Sequence, residues 1–289
     1  MNAPSLQDRL QRLAPGKPGN GAFSPPPQQD PRLADLIARI ERLKGRARLR
    51  QSQVTQATLA HQLGGDCLAP GLIRIERQFP LWHRFGRRPL ADFPQLCQEH
   101  FLFDPQRCLF LDTETTGLAG GTGTVAFMVG IGRLLPSATG FEVRQYLLTE
   151  FAGEKFLLDA IAGEIDACDS LVTFNGKSYD LPLLTTRFRL QARDNPLSGL
   201  PHLDLRHPLR RIYGKQLPDC RLKTLEQRVL GHHRNNDLPG AEAPKAWLDW
   251  LRQRETAGLL EVARHNRSDI LALVALCPLL QTRELAEAG

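Results

Sequence analysis

Four acids and one histidine stand at spacings that can do chemistry. Asp112 and Glu114 lie two apart in LFLDTETTG, at the end of the apolar run CLFLD. A strand turns alternate side chains to one face, so both carboxylates point the same way. Asp180 closes TFNGKSYDLP, directly after a second apolar run. Asp followed closely by Pro also reads as a helix start, and a helix N-terminus favours ionised oxygen, so capping and metal ligation are compatible there. Asp269 follows His265 by four in ARHNRSDILALVAL, which puts imidazole and carboxylate on one helix face. Each signal has a plainer reading beside it: a turn for the first pair, a cap for Asp180, a surface ion pair for the last.

Together the four acids say more than any one alone. Crowded carboxylates repel one another and resist ionisation. Two divalent cations would cancel that charge, and hard oxygen donors suit Mg²⁺ or Mn²⁺. Two such ions about 3.5–4 Å apart clamp the attacking and leaving oxygens of a phosphodiester displacement. A histidine with an ordinary pKa near ~6.5 can take the proton of the attacking water.

The elements that must position these groups can be read from the apolar pattern. CLFLD is continuous enough for a strand buried on both faces. VAFMVGIGRL and FEVRQYLLTE follow closely enough to make an antiparallel meander with it. A helix over Lys155–Ile165, the short strand SLVTF, a helix beginning near Asp180 and a last short strand at His202–Asp204 come next. Helices are then expected over about 205–214, 221–230, 244–253 and 257–276. This order predicts one α/β domain over 105–285, with a mixed sheet flanked by helices.

Before it, residues 1–31 are rich in Pro, Gly, Asn and Gln and read as a disordered tail. Residues 32–104 read as a basic N-terminal extension: a helix from Leu33 that Gly45 ends, then an irregular segment over 46–104 that wraps onto the core. Between Arg32 and Arg88 there are 12 Lys and Arg against 4 Asp and Glu, whereas the whole chain carries only +6. Such a front suits a polyanionic partner, because phosphate neutralisation dominates nucleic-acid affinity; a solvated Arg-rich helix is the plainer alternative.

Composition excludes several classes. In 289 residues the charged share is 24% and the hydrophobic share 42%, too ordinary for a disordered or fibrous chain. The longest apolar run, Ile270–Leu280, is too short to cross a bilayer, and no membrane partner is expected. The first twenty residues hold no apolar block, so no secretory signal is expected. Six cysteines without a single C-x-x-C pair suggest neither zinc nor disulfides and fit a reducing cytoplasm.

The motifs also resemble a known family. Asp112-Thr-Glu114-Thr-Thr-Gly resembles the first motif of the DEDD (DnaQ-like) exonuclease superfamily. Phe174-Asn-Gly-Lys-Ser-Tyr-Asp180-Leu-Pro resembles its second, in the form seen in proofreading domains of B-family polymerases, and His265-Asn-Arg-Ser-Asp269 resembles its third. With LAGGTGTVAFMVGIG after the first motif and DLPG at 237–240, the chain is most similar to the YprB-type ribonuclease H-like proteins. The resemblance covers about 105–280. It implies a ribonuclease H-like fold, two-metal catalysis and 3′–5′ exonuclease activity on DNA or RNA, with Asp112, Glu114, Asp180 and Asp269 as ligands. It departs at one point: three residues separate His265 from Asp269, where the family's His branch has four and its Tyr branch three. His265 therefore stands where a Tyr is expected, and either orients the water or deprotonates it.

Other residues are candidates for substrate contact: Thr115, Asn175, Lys177 and Lys223, with Arg206, Arg210 and Arg211 able to guide a strand or simply face water. Phe127 and Phe174 suit either base stacking or the core. The glycines at 117–123 lack a following Lys-Ser/Thr, which argues against a nucleotide-binding loop. His232-His233 with Asp237 has no metal-ligand spacing and reads as a loop at a helix end. A nucleic-acid-binding module with little catalysis, or an endonuclease of the same fold, are the competing functions.

Overall fold

The computed structural model describes residues 54–94, 104–117, 122–234 and 237–280, and Arg39 besides. The tail expected over 1–31 and, Arg39 apart, the helix expected from Leu33 lie outside the described residues. Backbone packing divides the chain into residues 1–49 and 50–289, and the sheet with its helices belongs to the second unit.

Its centre is the meander predicted from the apolar runs. Strand β5 (Cys108–Thr115) pairs antiparallel with β6 (Ala126–Leu134), which pairs antiparallel with β7 (Phe141–Leu148). On its other side β5 runs parallel to β8 (Ser170–Thr173), and β8 parallel to β9 (His202–Asp204). The sheet has seven strands rather than five. Residues 46–104, expected to be irregular, supply helix α1 (Gln56–Leu63) and two strands, β1 (Gly65–Ala69) and β2 (Leu72–Phe79). β2 runs antiparallel to β7 from Leu72↔Leu148 to Phe79↔Phe141 and extends the sheet to the order β1-β2-β7-β6-β5-β8-β9. Its signal is weak in the sequence because Arg74, Glu76, Arg77 and Gln78 interrupt the apolar Leu72, Ile73, Ile75 and Phe79. A two-residue hairpin follows, β3 (Arg84–Phe85) with β4 (Arg88–Pro89).

Helices cover both faces. α2 (Glu154–Ile165), α3 (Asp180–Leu190) and α6 (Ala243–Gln253) bury Leu157, Ile161, Leu184, Phe188, Trp247 and Trp250 against Leu109 and Leu111 of β5. The two indoles donate to Leu148 O (2.6 Å) and Thr149 O (2.9 Å), satisfying buried polar groups while tying α6 to the end of β7. The opposite face carries Cys108 and Phe110 and packs under α4 (Arg206–Tyr213) and the second half of α7 (Ala257–Leu276). α5 (Leu222–Leu225) continues as a single π turn, Glu226–Leu230, before Gly231 ends it in the left-handed conformation. Among the described residues no helix is long and apolar enough to cross a membrane.

One close approach matters for the site. A Cβ at Gly130 would collide with the Asn266 side chain, and one at Gly132 with Ile270. Glycine at these two β6 positions lets α7 lie directly on the sheet beside β5. Buried Gln145 of β7 then donates to Ala263 O and Asn266 Oδ1, both at 2.8 Å, and locks the helix in that register.

Candidate active site

The end of β5 is the floor of the site. Asp112 pairs with Gly130 in the sheet ladder, and its Oδ2 accepts from Asn266 Nδ2 at 2.8 Å. Glu114 is buried one pleat further on, where the β5–β6 register shifts after it. Both carboxylates lie within reach of the charges of Asp180 and Asp269.

Asp180 is buried as the first residue of α3. It is not the side-chain cap foreseen as one reading; its Oδ1 accepts instead from the Thr113 hydroxyl at 2.5 Å, which ties α3 to β5. The loop that delivers it, Phe174–Tyr179, hangs on Asp204 at the end of β9. That buried carboxylate accepts the backbone N–H of Asn175 (2.7 Å) and Arg206 (3.1 Å) on Oδ1, and of Lys177 (3.1 Å) on Oδ2. Asn175 sits at φ +68° and its Oδ1 accepts from Arg206 Nη1 at 2.6 Å. Arg206 thus braces the loop, while Arg210 and Arg211 are exposed.

α7 brings the last pair. The i,i+4 spacing is realised, with His265 Nε2 3.5 Å from Asp269 Oδ2. Three further groups, none of them expected at the site, complete the arrangement. Asp237 Oδ1 lies 2.7 Å from His265 Nδ1, so the loop expected to be passive holds the imidazole. Arg234 donates to Asp269 and, through two nitrogens, to fully buried Glu226. Asn266 orients Asp112. Asp237 and Arg234 lie in a loop with no periodic pattern, and only Asn266, next to His265 on the helix, had a signal that pointed at it.

The electrostatics are those of buried acids crowded together. Burial pushes Asp112 well above the usual carboxylate range, and Asp269, Asp180 and Glu114 push it further, against the Asn266 bond. Glu114 is raised well above its usual value by burial and by Asp269 and Asp180, with Arg234 opposing. Burial carries Asp180 to about 6 despite the Thr113 bond. Asp237 behaves oppositely: burial would raise it, but the His265 bond and ring, with Arg234 and Lys223, hold it below its ordinary value.

The other substrate candidates scatter. Lys223 Nζ reaches to 3.9 Å from Asp237 Oδ2 at the edge of the site. Lys177 is exposed, and Thr115 donates to Gly117 O at 2.9 Å. Phe127 is core, stacked on Trp247, and His232 stacks on Phe85. Phe174 lines a groove of about 590 Å³ beside Asp180, together with Asn175, exposed Tyr179, Arg206, Arg210 and Arg221.

A model of the RNase_H superfamily matches residues 109–281. The chain belongs to that superfamily. Its RNase H-like fold is the mixed seven-stranded sheet with helices on both faces. Over 231 residues the chain is 34% identical to "Uncharacterized protein YprB" of Bacillus subtilis (strain 168), a match taking in 75% of this chain and 54% of that protein. The chain therefore spans about half the length of the relative it matches. It is also similar to the family B DNA polymerase from the archaeon Pyrobaculum calidifontis, at 14% identity and a TM-score of 0.48, over 78% of this chain and 31% of the polymerase.

RNase H-like nucleases generally use divalent metal ions, and the donor set of this domain fits them. Asp112, Glu114 and Asp180 offer only hard oxygen and repel one another, a charge excess that a dication relieves. Among the described residues no three His, Cys, Asp or Glu side chains converge tightly enough to grip an ion as they stand. Asp269 is engaged by Arg234 instead.

Proposed function

We propose that this RNase H-like domain hydrolyses phosphodiester bonds in nucleic acid from a 3′ end, with two Mg²⁺ or Mn²⁺ ions held by Asp112, Glu114, Asp180 and Asp269. The observation that carries the reading is that Asp112 and Glu114 of β5 are buried within reach of the charges of Asp180 of α3 and Asp269 of α7, which with burial hold both above the usual carboxylate range; the three elements are far apart in sequence. Structural carboxylates are paired off with cations; carboxylates arranged to destabilise each other belong to a site that expects positive charge.

The ions, when bound, supply Lewis-acid stabilisation of the phosphoryl oxygens and of the leaving oxygen. The chain's own residues do the rest. Asp237 accepts the Nδ1–H of His265, which in the neutral ring leaves Nε2 as the nitrogen that accepts a proton. Nε2 faces Asp269, 3.5 Å from its Oδ2. There His265 accepts a proton from water as the water oxygen bonds to phosphorus. The P–O3′ bond breaks, the 3′ oxygen of the shortened strand gains a proton, and a nucleoside 5′-monophosphate departs. The groove beside Asp180 supplies an aromatic wall at Tyr179 and Phe174 and guanidinium groups at Arg206 and Arg210, which suit stacked bases and phosphates of a strand. The basic stretch between Arg32 and Arg88 supplies further sequence-independent attraction.

The test is digestion of end-labelled single-stranded, duplex, flapped and hybrid DNA and RNA oligonucleotides with Mg²⁺, Mn²⁺ or chelator. Asp112→Asn is the control. Stepwise loss from the 3′ end, abolished by chelator and by the variant, is expected. Cleavage of a covalently closed single strand would make the enzyme an endonuclease. Equal inertness of wild type and variant on every substrate would leave a binding module.

A further inference from the structure

Arg234 is the cation inside the acid cluster. Its side chain is only 7% exposed, and a buried guanidinium is tolerated only when fully paired. The pairing is uneven. Glu226 takes it in a fork, Nε to Oε2 at 2.8 Å and Nη2 to Oε1, whereas Asp269 holds it by Nη2 alone. Nη1 leans toward His265 Nδ1 (3.2 Å) and Asp237 Oδ1 (3.5 Å). Lys223, which reaches toward Asp237 from the edge of the site, is 60% exposed. Asp269 thus spends one oxygen on Arg234, while its other faces His265.

We propose that Arg234 is a resident counter-cation that competes with a divalent ion for Asp269, and that Glu226 is the anchor that keeps the guanidinium when the ion takes that carboxylate. The proposal rests on the reading of Asp269 as a metal ligand. A dication on Asp269 would stand beside the guanidinium, and like charges repel. The contact that gives way is the single bond to Asp269, because the two-point fork to Glu226 is stronger and can persist without it. Before metal entry the same single bond holds Asp269 among acids that would otherwise repel it. Arg234 is therefore a positioning residue, acting through Asp269 rather than on substrate.

Calorimetric titration of Mn²⁺ into the full chain without nucleic acid tests this in wild type, Arg234→Gln, Glu226→Gln and the double variant. Arg234→Gln is expected to bind Mn²⁺ about tenfold more tightly, since it removes a competing charge next to a ligand. Glu226→Gln strips Arg234 of its alternative acceptor and is expected to weaken Mn²⁺ binding, with a smaller effect once Arg234 is gone; that non-additivity separates competition from a general charge effect. Metal-free Arg234→Gln is expected to melt below wild type, and saturating Mn²⁺ to close the gap. Equal or weaker Mn²⁺ binding by Arg234→Gln, or strictly additive effects, would overturn the proposal and leave the nuclease reading standing. Absence of Mn²⁺ binding in all four proteins, wild type included, would overturn both. Should Arg234→Gln fail to fold, Glu226→Gln alone decides, and unchanged or tighter binding there refutes the competition.

Discussion

His265 of α7 and Asp237 of the loop before α6 are joined at 2.7 Å between Nδ1 and Oδ1. A carboxylate can only accept, so Nδ1 is the donor, and a neutral ring then carries its lone pair on Nε2, the nitrogen that faces Asp269. Replacing Asp237 by Ala leaves the histidine in place but lets the tautomer drift. Steady-state kinetics on an end-labelled strand should show kcat lowered by about 10–100-fold with KM little changed, the usual cost of losing an orienting carboxylate. An unaltered kcat would remove His265 from proton transfer.

Asp112→Asn should separate stability from function. Removing one of several repelling carboxylates is expected to stabilise the metal-free protein by about 1–2 kcal/mol, as at other sites strained for activity, while nuclease activity disappears. Differential scanning calorimetry in chelator reads the first effect, and a lower melting temperature for the variant would argue that the acids are not in conflict.

Metal should restore what repulsion costs. Wild-type protein is expected to gain about 2.7 kcal/mol when Mn²⁺ is present at a hundred times its dissociation constant. Chelator should reverse the gain, and Asp112→Asn should lose most of it. Thermal melts across a Mn²⁺ series provide the measurement.

Asp204 carries a purely structural prediction. It accepts three backbone N–H groups, from Asn175, Lys177 and Arg206, and it is buried. Asp204→Ala leaves those donors unpaired and should cost about 3 kcal/mol, the range for breaking a buried hydrogen-bond network. Activity should fall with it, because Asp180 is delivered by that loop. Urea denaturation of a variant that keeps wild-type stability would show that the loop stands without its anchor.

His202 makes stability depend on pH. Burial lowers its pKa to about 4, against the pull of Asp204, and the Thr173 hydroxyl meets its Nε2 at 2.9 Å. Unfolded, the ring titrates near ~6.5, so between those values the unfolded chain binds more protons and stability falls as pH falls. Asp180, raised to about 6, and Glu226, raised to about 7, act in the opposite sense. The comparison that isolates His202 is therefore wild type against His202→Gln, melted from pH 7 to pH 4. The variant should lose less stability across that window, and parallel curves would count against a neutral, half-buried ring.

Local pattern made part of this protein legible in the chain itself. The central strand, the meander, the helices from Glu154 onward and the shared face of Asp112 with Glu114 all follow from periods of two and 3.6, which depend on neighbours in sequence. So does the pairing of His265 with Asp269. Strand β2 escapes such a pattern because half-exposed charged residues along it break the apolar rhythm.

What tertiary structure decided is which groups meet across those elements. Asp237 reaches His265 from 28 residues away and Arg234 reaches Asp269 from 35, Glu226 holds Arg234, and Asp204 reaches back to the loop carrying Asp180. Loop residues obey no period, and a carboxylate in sequence carries no mark of its partner. Only the close approach of α7 to β6, permitted by Gly130 and Gly132, fixes where those charges stand relative to one another. The acids could be named from the chain; their counter-cation and the histidine's orienting partner required the fold.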